Sequence, residues 1–361
     1  MDYLITPYVV LMMKYNLSYS LAFLIWYTIE LALIVLLITI TTSLSILLKR
    51  ILVKIYSGEK CKNILTEYIK IYTDFFRSFK QEEITPFKAD KTLFWIMPTF
   101  ILALTVFIWC FLPYTANFQA IKSDMGIILF IAFVIIYYFG IVLIGYSSKN
   151  NFAILGAFRS CVQIISSIIP MLLSVMSIIL LAGSTNLKTI IEQQYDWGCF
   201  SWYCIPAFIG FIVFFTAMLT ITNSSPFESS DAENELLSGY KIEYSGIKYQ
   251  MLILSQNVLT VAFAIYCTEL FLGGYLPPIH CFLADLFSQS KALYGFILTI
   301  EQLFWLLAKT FVLLFFMNII KITFPRLRVD KIAMIGWKYL IPLSFINLLL
   351  VCLIKQGGLY V

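Results

Sequence analysis

The carboxylates of one polar segment are the side chains of this sequence best suited to chemistry. Within residues 223–250, Glu228, Asp231 and Glu235 are spaced so that a helix places them on one face. Like charges at this spacing repel each other, so a site shielded from water favours a proton on at least one of them. Such a cluster can exchange protons near neutral pH. The alternative is a solvated acidic loop whose acids only complement a helix dipole.

A second candidate group lies in residues 71–79, where aromatic side chains are interleaved with charges. Asp74 and Arg77 are three residues apart, a spacing at which opposite charges pair on a helix. The pattern predicts an amphipathic helix that lies at a membrane surface.

Three ionisable residues, Glu30, Glu301 and Lys309, fall inside apolar stretches. Charges in such positions are costly and usually face a protein interior. Glu301 and Lys309 are eight residues apart and share one helical face. Two interpretations stay open: a polar track along that helix, or a structural pairing of Lys309 with a neighbouring helix.

The composition calls for a membrane around most of the chain. Of its 361 residues, 61% are hydrophobic and 12% are charged, with a mean hydropathy of +0.89. An apolar stretch of about 20 residues spans the hydrocarbon core as a helix. Such stretches occur at roughly 20–48, 93–113, 126–146, 160–182, 203–222, 251–273, 294–319 and 339–354. The sequence therefore predicts an all-α, polytopic membrane helix bundle with about eight transmembrane helices, in a single membrane domain spanning 1–361.

The distribution of basic residues orients these helices. The loop from Lys49 to Lys91 contains ten Lys and Arg residues, whereas residues 114–125 contain one. The positive-inside rule places the long loops 49–92, 223–250 and 320–338 on the cytoplasmic or matrix side. Both termini then lie on the outer side.

Cofactor ligands are scarce in this sequence. The chain has a single histidine, and its eight cysteines do not show the spacing of an iron–sulfur or zinc site. We therefore expect no metal site and no redox centre bound by this chain. The net charge of +5 is too small and too dispersed to indicate nucleic-acid binding.

Several segments, taken in order along the chain, resemble one known family. They are ITPFKADKTLFWIMP (84–98), GYSSKNNFAILGAFRSCVQIIS (145–166), TNSSPFESSDAENELLSGYKIEYSG (222–246), LFLGGY (270–275) and FPRLRVDKIAMIGWKYLIPLSFIN (324–347). Together they resemble the membrane subunit designated H or 1 in respiratory complex I, the NADH–quinone oxidoreductase, in a divergent version.

The resemblance implies a position where the membrane arm meets the peripheral arm. The chain is then expected to form part of the quinone-access tunnel and the start of an acidic proton-coupling path. Quinone is the substrate, while NADH, FMN and iron–sulfur clusters belong to partner subunits. The implied partners are other complex I membrane subunits, the peripheral quinone module and membrane lipid. The implied location is the mitochondrial inner membrane or the bacterial plasma membrane.

The resemblance also assigns individual residues. Those expected at the quinone tunnel are Lys62, Asp74, Arg77, Phe227 and Arg326. Those expected in proton coupling are Glu228, Asp231, Glu233, Glu235 and Glu243. Those expected to shape the loops are Arg159, Gln163 and Asn223.

Some positions depart from the family pattern. Ile168 and Ile221 stand where the family has Glu, and Ser224 stands where it has Arg. An isoleucine cannot bind a proton, so proton transfer differs in detail or is lost. Two alternatives therefore stay open: a membrane subunit of an energy-converting hydrogenase-like complex, and a structural subunit with degenerate coupling residues. A secondary transporter explains the hydropathy but not the ordered motifs.

Overall fold

The computed structural model describes residues 19–58, 64–195, 201–228, 239–278 and 291–357. These residues contain no β-strand, which confirms the all-α fold class. They form α1 (Tyr19–Tyr56), α2 (Ile64–Ser78), α3 (Lys91–Trp109), α4 (Gly126–Ser147), α5 (Asn151–Ala182), α6 (Leu187–Gln193), α7 (Phe208–Ile221), α8 (Gly246–Phe271), α9 (Lys291–Thr323) and α10 (Val329–Gln356).

Seven helices in the described ranges are long and apolar enough to cross a bilayer: α1, α3, α4, α5, α8, α9 and α10. Their order matches seven of the eight predicted runs. Most of them extend beyond the apolar run itself because polar turns continue the helix outside the hydrocarbon. Helix α5, for example, starts nine residues before the predicted position 160, where the Asn150 side chain accepts the backbone N–H of Phe152.

The fifth predicted run, 203–222, differs in length from the expectation. Helix α7 contains only 14 residues, or about 21 Å, against a hydrocarbon thickness of about 30 Å. The turn before it includes Pro206, and its backbone finds partners within the protein. The N–H of Cys204 donates to the carbonyl of Phe271 at the end of α8, at 2.9 Å. Non-helical backbone at membrane depth is tolerated when protein covers it in this way.

The core lies around α5 and α8. In the apolar parts of these two helices, 56% and 67% of the residues are buried, which are the largest shares among the seven spanning helices. Helix α5 packs against α4, α7 and α10, while α8 packs against α1, α3 and α9. Small residues permit the closest approaches, as is usual between membrane helices. A Cβ added to Gly145 of α4 would stand 2.5 Å from the Cβ of Ala157 in α5.

Helix α10 changes its winding where it crosses α5. Residues Ile335–Leu340 form a π-helical turn between two α-helical segments. A Cβ added to Gly336 in this turn would overlap the Ser166 carbonyl oxygen, so only glycine permits the contact. Further along α10, Asn347 bridges two helices: its amide donates to Ser177 at 2.9 Å and its carbonyl accepts from the N–H of Gly210 at 2.9 Å.

The two ends of the bundle differ in the connections they contain. We call the end formed by residues 57–58, 64–90, 222–228 and 239–245 the long-loop end, and the end formed by residues 110–125, 183–195 and 201–207 the short-loop end. At the short-loop end, the Lys309 ammonium donates to the carbonyls of Leu272, Gly274 and Leu276 at 2.7, 3.0 and 2.6 Å. Lys309 therefore has a structural partner, which is the turn that follows α8 rather than a helix.

Candidate functional site

Helix α2 is fixed against α1 by ion pairs at the long-loop end. The Lys54 ammonium of α1 donates to Glu67 at 2.7 Å, and the Lys70 ammonium donates to the same oxygen at 3.1 Å. These hydrogen bonds hold the pKa of the Glu67 carboxyl below its usual range. The structure confirms the helix predicted around 71–79, although this helix begins earlier, at Ile64.

A cavity of about 1130 Å³ lies between α1, α2 and α8. Its walls are mainly apolar and aromatic, with Ile46, Val53, Ile71, Phe75 and Leu254 among them. The polar and charged side chains that line it include Ser43, Lys49, Arg50, Lys54, Glu67 and Asp74. We call it the large cavity.

Asp74 contributes a carboxylate to the large cavity, but its partner differs from the expectation. The Arg50 guanidinium of α1 donates to Asp74 at 2.9 Å, so the ion pair links α1 to α2 rather than forming along α2. Arg77 is exposed and does not line the large cavity. The sequence reasoning compared only neighbours on one helix, whereas tertiary packing supplies a cation from another helix.

A second cavity, of about 260 Å³, adjoins the first. Four residues line both of them: Ile46, Lys49, Ile253 and Asn257. We call this one the small cavity. Its other walls come from α9 and from the segment that follows α7, so it connects the large cavity to the beginning of the predicted acidic loop.

Four charged side chains line the small cavity. Among its described lining residues, three are lysines and one is a carboxylate: Lys49, Lys241, Lys321 and Glu228. The Lys321 ammonium donates to the Glu228 carboxylate, while the Lys241 ammonium donates to the amide oxygen of Gln256 at 2.9 Å. The ammonium groups and the carboxylate therefore lie close enough to interact electrostatically within one cavity.

A side chain of α5 holds the backbone of the segment that presents Glu228. The Gln163 amide is buried and donates to the carbonyls of Thr220 and Phe227 at 2.6 and 2.7 Å. The carbonyl of Pro226 accepts from the N–H of Leu327, which ties the segment to the loop before α10. Gln163 therefore contacts the loop that it was predicted to shape.

Asn223 occupies a left-handed backbone conformation, with φ of 49°, at the turn that follows α7. Asparagine tolerates this region better than most residues. Its side chain is buried and lines the small cavity, next to Ser224. Ser224, which stands where the resemblance leads us to expect an arginine, therefore lines the small cavity, and its hydroxyl shares a hydrogen bond of 2.7 Å with that of Thr222.

Glu243 does not line the small cavity. Its carboxylate accepts a hydrogen bond from the Asn150 amide at the start of α5. Next to it, the Tyr244 hydroxyl shares a hydrogen bond of 2.9 Å with Ser147, and burial raises the pKa of Tyr244 to about 12. The phenol stays neutral at physiological pH. The hydrogen bonds of Glu243 to Asn150 and of Tyr244 to Ser147 fix the loop to α5 and α4.

The remaining candidates have varied positions. Phe227 is buried in the core, Arg159 is half-buried on α5, and Arg326 is exposed between α9 and α10. The candidates Lys62, Asp231, Glu233 and Glu235 lie outside the described residues.

Sequence reasoning missed several of the charged groups that the structure brings to the cavities. They are Lys49, Arg50, Lys241 and Lys321. Lys49 and Lys321 stand near the ends of apolar runs, where a basic residue usually anchors a helix at the interface. Only the arrangement of the helices in the structure shows that Lys49 and Lys321 line a common cavity.

Comparisons with known proteins place the chain in a family. The family model described as NADH dehydrogenase matches residues 29–352, which include both cavities. The chain belongs to this family. The resemblance drawn from the sequence motifs is thereby confirmed.

Among the relatives, the H subunit of the NADH-quinone oxidoreductase of Brevibacillus brevis is 35% identical over 282 residues, covering 78% of each chain. The corresponding protein of a Geobacillus species, with the same name, is 34% identical and covers 80% of each chain. The NADH-quinone oxidoreductase subunit 8 of Rhodothermus marinus is 32% identical, covering 79% of this chain and 84% of its own. The similarity thus extends over most of the length of both partners in every pair.

Proposed function

We propose that this chain is the quinone-end membrane subunit of an NADH–quinone oxidoreductase and that the large cavity receives the quinone. The observation behind the proposal is the composition of that cavity: apolar and aromatic walls with two ion pairs between α1 and α2, Arg50–Asp74 and Lys54–Glu67. Small-molecule sites combine an apolar lining with a few placed polar groups. A volume of about 1130 Å³ accommodates a substituted ring and the first part of an apolar tail.

The reaction at this site is the reduction of quinone to quinol, which takes up two electrons and two protons. In this proposal, NADH, FMN and the iron–sulfur clusters belong to the peripheral quinone module and its neighbours, which supply the electrons. This chain binds the substrate and moves protons. Arg50 and Lys49 provide positive charge where negative charge develops on the reduced ring.

Lys49 connects substrate chemistry with proton transfer because it lines both cavities. A new negative charge about 4 Å from an ammonium group interacts with it by about 4 kcal/mol at an effective dielectric constant of about 20. That change alters the field at the neighbouring Lys321–Glu228 pair. Glu228 is therefore the first proton carrier in the proposal, with Asp231, Glu233 and Glu235 following it along the chain and Glu243 at the end of the loop.

The membrane and the partners follow from the same proposal. The chain is a multi-pass protein of an energy-conserving membrane, either the bacterial plasma membrane or the mitochondrial inner membrane. Its long-loop end faces the peripheral module, since both cavities lie at that end. Other membrane subunits and lipid cover the apolar surfaces of the bundle.

A structural subunit with degenerate coupling residues is the second candidate. The feature that favours it is the apolar setting of the two isoleucines that stand where the resemblance leads us to expect Glu: Ile221 is fully buried at the end of α7, and Ile168 packs against the core. Such a subunit needs neither Asp74 nor Glu228 for turnover. Substitutions at these two carboxylates therefore discriminate between the candidates.

Asp74→Asn is expected to raise the KM for quinone by about fivefold while the complex still assembles. The substitution removes the charge that positions Arg50, and a partly exposed ion pair of this kind contributes up to about 1 kcal/mol. Steady-state NADH oxidation with several quinone analogues measures the effect. Glu82→Gln is the matched control, since Glu82 is an exposed acid of the same loop and lines neither cavity. Unchanged KM values for all the analogues in Asp74→Asn would contradict the proposal.

A further inference from the structure

The short-loop end of α8 contains a carboxyl group that has no part in the proposed function. Glu269 lies 23 residues after Gly246, the first residue of the helix, which is about 35 Å along the helix axis. It is therefore close to the opposite end of the bundle from both cavities. The sequence reasoning did not single it out.

Glu269 is fully buried, with 0% of its surface exposed. Neither of its carboxyl oxygens has a hydrogen-bond partner among the described residues. A buried carboxylate anion without a donor is strongly unfavourable, whereas the neutral acid avoids most of that cost. The arrangement thus favours a proton on this group.

Two other buried polar atoms without hydrogen-bond partners within the described part of the chain lie around the same turn. They are the Tyr275 hydroxyl and the indole N–H of Trp202. The segment after α8 folds back on the helix end: a Cβ added to Gly273 would lie 2.7 Å from Trp202 Nε1, and one added to Gly274 would lie 3.4 Å from the Glu269 Cα. Buried polar groups in such a cluster are the usual sites of internal water.

The titratable groups around Glu269 are mainly phenols and acids. Tyr266 lies one turn earlier on α8, Tyr114 follows α3, and Tyr275 follows α8. Burial raises the pKa of Tyr114 and of Tyr275, and the Glu269 carboxyl raises both pKa values further. Glu192 of α6 lies near Tyr275 and is also acidic. The ammonium of Lys309 on α9 donates to the carbonyls of the turn that follows Glu269.

We propose that Glu269 is a proton-binding site, which exchanges its proton with water held between its carboxyl group, Tyr275 and Trp202. Loss of the proton to a water molecule gives the carboxylate and a hydronium ion, so no further reactant is needed. In the orientation predicted from the loop charges, the site lies near the outer face of the membrane. It is separate from the quinone proposal because it depends only on the short-loop end.

Infrared spectroscopy of the purified complex at neutral pH tests the site without reference to turnover. We expect a carbonyl stretching band of a protonated carboxylic acid that shifts on transfer to D₂O. Glu269→Gln is expected to abolish this band, and Glu269→Asp, which keeps the acid, to displace it. Glu192→Gln, an exposed acid at the same end paired with Lys188 at 3.8 Å, is expected to leave it unchanged.

Two results would overturn the proposal. One is a Glu269→Gln spectrum identical to that of the unsubstituted complex, which would show that the carboxyl holds no proton. The other is a Glu269 band that does not respond to D₂O, which would show that the proton does not exchange with water. Should Glu269→Gln fail to assemble, the displacement expected for Glu269→Asp decides the question.

Discussion

Glu228→Gln is expected to lower proton-coupled quinone reduction by at least about tenfold, since proton transfer by a positioned side chain commonly contributes 10²–10⁴-fold. Glutamine cannot accept a proton from the small cavity. The substitution also leaves Lys49, Lys241 and Lys321 facing the cavity without the one described carboxylate among them. NADH–quinone reductase activity and dye-reported proton gradients in proteoliposomes measure the two effects together.

The companion variants separate proton transfer from charge balance. Glu228→Asp keeps a carboxylate and is expected to retain most of the activity. Glu228→Gln combined with Lys321→Met removes both members of the ion pair. Recovery of activity in this double variant would show that Glu228 only balances a lysine. Normal rates and gradients in Glu228→Gln alone would favour the structural subunit.

Lys309→Met is expected to prevent stable assembly of the chain. The ammonium group donates to three carbonyls that follow α8, and methionine leaves all three without that donor in a buried position. Each hydrogen bond to a charged group contributes roughly 1.5–3 kcal/mol, so the combined loss is on the order of 4 kcal/mol or more. The midpoint of thermal unfolding and the yield of intact complex measure it.

A lysine at the same end of the bundle provides the control for this substitution. Lys188→Met removes a half-exposed ammonium whose partner Glu192 is 3.8 Å away, and such pairs contribute little to stability. Its unfolding midpoint is expected to stay unchanged. Lys309→Arg is expected to fall between the two. An unfolding midpoint for Lys309→Met equal to that of Lys188→Met would refute the structural role of Lys309.

The helices that span the membrane were predictable because the hydrocarbon core imposes both apolar composition and length. Their ends were not, because polar residues such as Asn150 prolong a helix outside the apolar stretch. The short α7 was also missed. In sequence, the apolar run around Pro206 looks like any other span. Only the contact between Cys204 and the end of α8 shows that the beginning of this run is non-helical backbone covered by protein.

The candidate site was predictable only in part. Asp74 and Glu228 were found because acids in polar segments are conspicuous. Lys49 and Lys321 were missed because, in sequence, a lysine lining a cavity and a lysine anchoring a helix at the interface look the same. Glu269 is ambiguous in the same way, because it stands in the last turn of a span. In sequence, an acid at that place that reaches the interface and an acid that is buried look the same.

The most direct test of the account is to locate the quinone itself with a photoreactive quinone analogue in the assembled complex. We expect labelling within residues 39–57, 67–76 and 250–257, which provide the lining of the large cavity, and loss of the label in the presence of excess quinone. Competable labelling confined to other segments, with none in α1, α2 or α8, would contradict the proposal.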